Sequence, residues 1–423
     1  MDRRFSACLL ACAVSSCVER GAVLGSAEPS APSATRPTAL APRKVEALSA
    51  SEVHSCAVSD GRAYCWGDNT DGQLGIASDV TRAGPTALPG SDWRQIVTGK
   101  AHTCALDASG DVYCWGANER GQLGQGHRDS QSAPVLVPLP AAAIQLASGF
   151  RHSCVILETS ELWCWGDGNE GQIGRGDFYP GSAESREADA PTPEQVALPP
   201  GTGPEPWSFV DTGQGHTCAL RSDGSLWCWG RNSQRQLGQP SEAGQIRAPV
   251  RVGTDLGWLS VDAAQNYTCA LSAERSLWCW GFNMGWMSSS GNPLGVENVQ
   301  LDVPTVVSDE HWAAFGTNMF HSCGLDDQAQ LWCWGRNHEG QLAMENPIDP
   351  LHPGETIRVH PKTRVATGVA FAAVGTYSTC VVSQEGSVRC VGKNDRGQLG
   401  EGAGTDVSSF VEVPLPSQPA SGE

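Results

Sequence analysis

Basic residues are scarce in this chain. Lys and Arg together number 28 against 46 Asp and Glu, and the formal net charge is -18. Nucleic acid carries dense negative charge and is held through Lys and Arg clusters, so an acidic chain without a basic block is a poor partner for DNA or RNA. Anionic membrane surfaces are disfavoured for the same reason. Long apolar runs are missing too. The stretch from about Phe5 to Ser16 is too short to span a bilayer as a mature helix. Enzyme signatures are also absent: there is no H-E-x-x-H, no G-x-S-x-G, no phosphate-cradling Gly-rich loop with a Lys and no dinucleotide fingerprint. No motif calls for a cofactor or a metal.

What the chain has in excess is Gly (49), Trp (15) and Cys (17). Many glycines with regularly placed aromatics indicate short strands and tight turns, repeated. Seventeen cysteines are too many for a reduced cytosolic protein. Three of them fall in the N-terminal segment, where Arg3 and Arg4 precede the apolar run and Val14-Ser15-Ser16 leads to Cys17. That is the pattern of an export signal. It resembles a bacterial lipoprotein signal with Cys17 as the lipidated residue; a plain cleaved signal, for instance after Ala27, is the alternative. Residues 18–43 are rich in Ala, Pro and Ser and cannot bury enough surface to fold, so they read as a tether. The expected division is a signal at 1–17, the tether at 18–43, a folded body at 44–415 and a flexible tail at 416–423.

The other fourteen cysteines belong to an internal repeat. Cys-Trp-Gly occurs at Cys65, Cys114, Cys164, Cys228, Cys279 and Cys333, with a degraded seventh copy at Cys390. Each has an upstream partner, Cys56, Cys104, Cys154, Cys218, Cys269, Cys323 and Cys380, at a spacing of 9 in the first pair and 10 in the others. The segments carrying them are β-rich and flank turns such as Asp60-Gly61 and Asp223-Gly224, where Gly supplies the positive φ of tight hairpins. A hairpin centred on that turn sets the two cysteines opposite one another, within disulfide reach. Seven cross-strand disulfides, one per repeat, are therefore expected. Tetrahedral zinc needs four ligands, and each hairpin offers two sulfurs and sometimes one His.

The unit is clearest in its second copy, where Gly99, His102-Thr103-Cys104-Ala105-Leu106 and Trp115-Gly116 are followed by Asn118 and Gly121-Gln122-Leu123-Gly124. This pattern resembles the regulator of chromosome condensation repeat, over roughly residues 44–415. The resemblance implies an all-β, seven-bladed propeller with four strands per blade. The first unit begins at Lys44-Val45, and a strand-like Phe410-Val411-Glu412-Val413-Pro414 follows the seventh Gly-Gln-Leu-Gly. The ring is therefore expected to close by that C-terminal strand completing the first blade.

Residues present in every unit read as structural, because an active site needs one constellation and not seven. His54, His102, His152, His216 and His321 share one position, which Tyr267 and Ser378 occupy in the other units. The two gaps break any continuous metal-binding ring, so polar packing is expected there. The Trp of Cys-Trp-Gly is expected to pack between blades. Plant ultraviolet receptors of the family use clustered Trp, but an exported acidic protein has no path to an intracellular signal. Asn69-Thr70-Asp71-Gly72 superficially matches a calcium loop but falls where the other units have their N-x-x-G turn, and Asn266-Tyr267-Thr268 is a glycosylation sequon.

Function is expected where the repeat breaks, in loops on one face. The breaks are an insertion from Asp177 to Pro206 with Phe178 and Tyr179, the replacement of Gly-Gln-Leu-Gly by a segment with Met284, Trp286 and Met287, and the connection from Glu345 to Pro361 with His352 and His360. Exposed Met and Trp make adaptable contact surfaces; neutral loop drift is the plain alternative. The leading expectation is a monomeric, cell-surface or secreted interaction module, without nucleic-acid partners, that binds a protein, peptide or glycan, with membrane contact only through a lipid anchor. A propeller-based carbohydrate-active enzyme is the second reading and would need a carboxylate pair in a central pocket. Nucleotide exchange on chromatin, which the resemblance also brings, is disfavoured by the export signal, the charge and the disulfides.

Overall fold

In the computed structural model the described residues are 44–416, apart from 91, 177–187, 200, 240, 242, 254–256, 284–298, 348–358 and 403. They contain strands and no helix longer than a single turn. The strands form seven four-stranded sheets, each made of four consecutive antiparallel strands. This is the expected seven-bladed, four-stranded propeller.

The first blade shows how the sequence builds a sheet. Its strands are β1 (Val45–Ala50), β2 (His54–Ser59), β3 (Arg62–Gly67) and β4 (Arg82–Ala87). Asp60 and Gly61 join β2 to β3 with φ of 50° and 72°, both left-handed, as a two-residue hairpin with the strands' own twist requires. The register sets His54 opposite Gly67 and Cys56 opposite Cys65. The same register recurs in every blade, and seven disulfides span the opposed pairs at Cα separations of 4.1–4.2 Å. The pairs are those expected from spacing. The glycine of Cys-Trp-Gly is fixed by crowding: a Cβ on Gly116, at φ +100°, would stand 2.5 Å from the Ala101 carbonyl oxygen.

Ring closure differs from the expectation. The last strands, β25 (Val369–Val374), β26 (Ser378–Ser383), β27 (Val388–Gly392) and β28 (Val407–Glu412), form blade 7 by themselves. β28 pairs with β27, while blade 1 obtains its fourth strand from its own chain, β4 on β3. The reason is local: each fourth strand follows the third through one loop and returns antiparallel along the free edge beside it, the usual outcome for consecutive strands. The first unit has a Pro-bearing fourth strand of its own, with Gly84-Pro85-Thr86.

Blades 7 and 1 are instead joined by side chains that repeat around the ring. The Trp66 indole and the Ser55 hydroxyl of blade 1 both donate to the Gln398 carbonyl of blade 7, at 2.9 and 3.0 Å. Trp115 and Thr103 donate in the same way to Gln73, Trp229 and Thr217 to Gln172, and Trp280 and Thr268 to Gln236. The Gln side chain folds its own loop, its Oε1 accepting the N–H two residues earlier, as in Gln122 to Arg120. Gly-Gln-Leu-Gly is thus a strap from one blade to the next. Each of these tryptophans is fully buried, so the apolar core lies between blades.

Candidate binding face

Because His54 opposes Gly67, the loop from first to second strand and the loop from third to fourth strand leave a blade at the same end. One face of the ring therefore carries fourteen loops, and the other carries the short hairpin turns and the blade-to-blade connections. The segments 177–187, 284–298 and 348–358 all lie within third-to-fourth-strand connections, whose flanking strand ends are on that loop-bearing face, whereas the last part of the break that runs from Asp177 to Pro206, residues 196–206, is a blade-to-blade connection on the other face. Phe178, Tyr179, Met284, Trp286, Met287 and His352 fall inside these segments, outside the described residues; Cys17, in the N-terminal stretch, also lies outside them. His360 is described: it is buried in β24 (Val359–Thr367), with Nε2 at 2.9 Å from Asn346 Oδ1, and it braces the loop.

Below the rim, the repeated histidines form a lateral belt. The Nε2 of His54 lies 2.8 Å from the Thr103 hydroxyl of the next blade, and His102, His152, His216 and His321 reach Ser153, Thr217, Thr268 and Thr379 at 2.8–3.1 Å. All five rings are fully buried. Burial lowers their pKa to about 3 for His54, His152, His216 and His321 and to about 4 for His102. They are neutral hydrogen-bonding spacers. At the fifth position the Tyr267 hydroxyl meets the Asn318 carbonyl at 2.6 Å, and burial pushes its pKa up to about 12.

At the ring axis the face opens into a cavity of about 120 Å³. Its wall is built by the residue two before each His position: Glu52, Lys100, Phe150, Gln214, Gln265, Met319 and Thr376. A constant motif thus carries one variable side chain per blade to a common mouth. Sequence reading passed over this position, although the signal was there: within G-x-x-H the first x takes a different chemistry in nearly every unit. Lys100 Nζ lies 4.4 Å from the centroid of Phe150. Toward blades 6 and 7 the next residue out becomes aromatic, with Phe320 and Tyr377 stacked at 5.2 Å and the Arg336 guanidinium 4.4 Å from the Phe320 centroid.

Deeper along the axis stand two acids. Asp211 ends β13 (Trp207–Thr212) but one, and Asp262 has the same place in β17 (Trp258–Ala263) of the next blade. Asp211 Oδ2 accepts from Ala263 N at 2.7 Å and Asp262 Oδ2 from Thr317 N at 2.9 Å. Burial raises the Asp211 pKa to about 6; burial and then the Asp211 charge raise Asp262 well above the usual carboxylate range. Enclosed ligand sites for drug-sized molecules span about 300–1,000 Å³, so the mouth suits a side chain rather than a sugar ring in a hydrolytic cleft. Among the described residues no three His, Cys, Asp or Glu side chains converge to hold a metal ion.

These features define a class: a disulfide-stapled, seven-bladed propeller with one loop-bearing face around a small polar mouth. The regulator of chromosome condensation (RCC1) repeat matches residues 60–106, 109–156, 160–220 and 223–271, and a second signature of the same repeat matches six segments between residues 45 and 398. The chain belongs to this repeat family. It is 28% identical over 372 residues to the ultraviolet-B receptor UVR8 of Arabidopsis thaliana, covering 86% of this chain and 80% of that one. Human WBSCR16 superposes with a TM-score of 0.69 at 18% identity, covering 85% of this chain and 96% of that one. Prp20p of Saccharomyces cerevisiae gives 0.68 at 19%, covering 89% and 86%. Both superpositions establish the fold alone.

Proposed function

We propose that this protein is an exported interaction module whose loop-bearing face docks a protein partner. The observation that carries this reading is the coincidence of three features on one face: the third-to-fourth-strand connections in which the repeat breaks, the axial mouth, and the one position of the motif that varies from blade to blade. The opposite face has the hairpin turns and the blade-to-blade connections, of which 196–206 is a long one. Seven disulfides are suited to an oxidising compartment. Together with the signal-like N-terminus they favour display at the cell envelope, through a lipid on Cys17, or secretion. Prp20p, whose structure was described with its binding to Gsp1p and histones, shows the fold presenting a protein-binding surface. The acidic charge of this chain points away from nucleic-acid partners.

The test is capture with the full-length chain, made in an oxidising compartment, immobilised and exposed to envelope and secreted extracts of the source organism. The expected result is a stoichiometric protein partner that is lost when 177–187 or 284–298 is exchanged for the short loop of blade 2, and kept when hairpin turns on the opposite face are altered. A partner that survives every loop exchange and is lost with the turns would overturn the reading.

A further inference from the structure

The two sides of the mouth differ in chemistry. The penultimate residue of the innermost strand is Ser49, Val97, Ala147, Asp211, Asp262, Gly316 and Ala373 around the ring. Five blades use a short neutral residue, and blades 4 and 5 use adjacent acids. The duty of capping the next blade's N–H does not require an acid: Ser49 Oγ accepts from Thr98 N at 3.0 Å, as Asp211 does from Ala263 N. The carboxyl groups are additional to that duty.

The same two blades leave enclosed polar atoms unpaired beside the mouth. Gln214 Oε1 and Gln265 Oε1 are enclosed and have no hydrogen-bond partner among the described residues. Thr212, which also lines the cavity, is 7% exposed, and its Oγ1 likewise has none. Its counterparts are engaged: Thr98 with Ser49, Ser148 with Ser153 and Thr317 with Ser322, at 2.8–3.1 Å. Enclosed polar groups are nearly always paired, and an unpaired one costs about 1–3 kcal/mol, so two amides and a hydroxyl with enclosed unpaired oxygens mark this wall as a place for a hydrogen-bonding occupant. The other charges at the mouth, Glu52 and Lys100, are carried by blades 1 and 2, and Lys100 lies over Phe150.

We propose that the blade 4–5 side of the mouth receives the cationic tip of one Lys or Arg side chain from a protein partner, with Gln214 Oε1, Gln265 Oε1 and Thr212 Oγ1 accepting its N–H groups and Asp211 and Asp262 supplying countercharge beneath. This inference rests on the docking-face reading and adds the chemistry of its occupant. A bare metal ion fits less well. The amides and carboxylates lie in two layers three residues apart, a chain length of roughly 10 Å, whereas one calcium shell needs its oxygens at about 2.3–2.6 Å.

The probes are an acetylated, amidated Gly-Gly-Arg-Gly-Gly peptide, its Lys counterpart, its neutral citrulline counterpart and spermidine, each titrated into the full-length protein by ligand-observed NMR. The Arg or Lys peptide is expected to bind saturably, with citrulline weaker by about tenfold or more, as expected for loss of a charged hydrogen bond. The double variant Asp211→Ser, Asp262→Ser keeps the capping bond that Ser49 makes, so its melting temperature checks folding. Its affinity for the Arg peptide is expected to fall about tenfold. Gln214→Leu with Gln265→Leu tests the amides without touching the acids and is expected to weaken binding in the same direction. Equal binding of Arg and citrulline peptides, no saturable binding by either cationic peptide, or a folded Asp double variant with unchanged affinity would each overturn the proposal. Spermidine binding more tightly than both cationic peptides overturns a partner side chain as the source. If loop exchange releases a captured partner while the Asp double variant retains it, the docking face stands and this inference falls.

Discussion

Among the described residues, a single hydrogen bond separates the tryptophans of this ring. Trp115 is fully buried and its indole donates to Gln73. Trp334 is equally buried, but its blade boundary has no Gly-Gln-Leu-Gly, and Nε1 finds no acceptor among the described residues. Trp115→Phe should therefore cost about 1 kcal/mol more than Trp334→Phe, the net value of one hydrogen bond beyond a shared packing loss. Urea melts of the two variants measure the difference. The histidines offer a second contrast. Their folded pKa of about 3–4 lies below the unfolded 6.5. Their contribution is complete above pH 6.5 and is lost as pH falls toward the folded values. At pH 5 each costs about 2 kcal/mol. Asp211 has the opposite sign: its pKa is raised to about 6, so its contribution is present at low pH and lost as pH rises through that value, worth about 1 kcal/mol at pH 5 relative to neutrality. Asp262 adds in the same direction as Asp211. Five histidines outweigh the two acids, so the melting temperature should fall steadily below pH 6.5. His216→Gln should flatten that slope; a melting temperature that rises toward pH 5 would contradict the belt of neutral histidines.

At the scale of the element, the hairpin is the unit on which the chain relies. Each disulfide closes about ten residues between facing strands, for about 2–3 kcal/mol in the loop-entropy picture. Replacing Cys218 and Cys228 by Ala should lower stability by that amount and leave the other pairs intact, and non-reducing peptide mapping should recover only local pairs. The hairpin was also the part most legible in the sequence, because a spacing of 9 or 10 around a Gly turn leaves one antiparallel register for opposed cysteines. The phase of the blades was less legible. Val45–Ala50 and the strand at Phe410 look alike in isolation, and choosing which edge the latter completes depends on the path of the preceding loop. Gln398 closes the ring through its backbone carbonyl, and a carbonyl carries no signature in the sequence.

At the scale of the molecule, the separation of scaffold from surface explains why the site was only half visible. Residues repeated in every blade are straps and spacers, and the sequence marks them by repetition. The candidate site is made from what does not repeat, gathered at the axis from seven places spread over more than three hundred residues of the chain. Glu52, Gln214 and Thr376 share no local pattern beyond their distance from a His, Tyr or Ser, so their convergence requires the closed ring. The breaks in the repeat could be read directly, and the third-to-fourth-strand connections they fall in open on the same face as the mouth. The measurement that tests this account most directly is hydrogen–deuterium exchange of the full-length protein, alone and with a captured partner. The account predicts slowed exchange in the first-to-second-strand loops at residues 51–53, 213–215 and 264–266, with the hairpin turns at 60–61 and 223–224 unchanged. Protection confined to those turns, with the mouth unaffected, would contradict it.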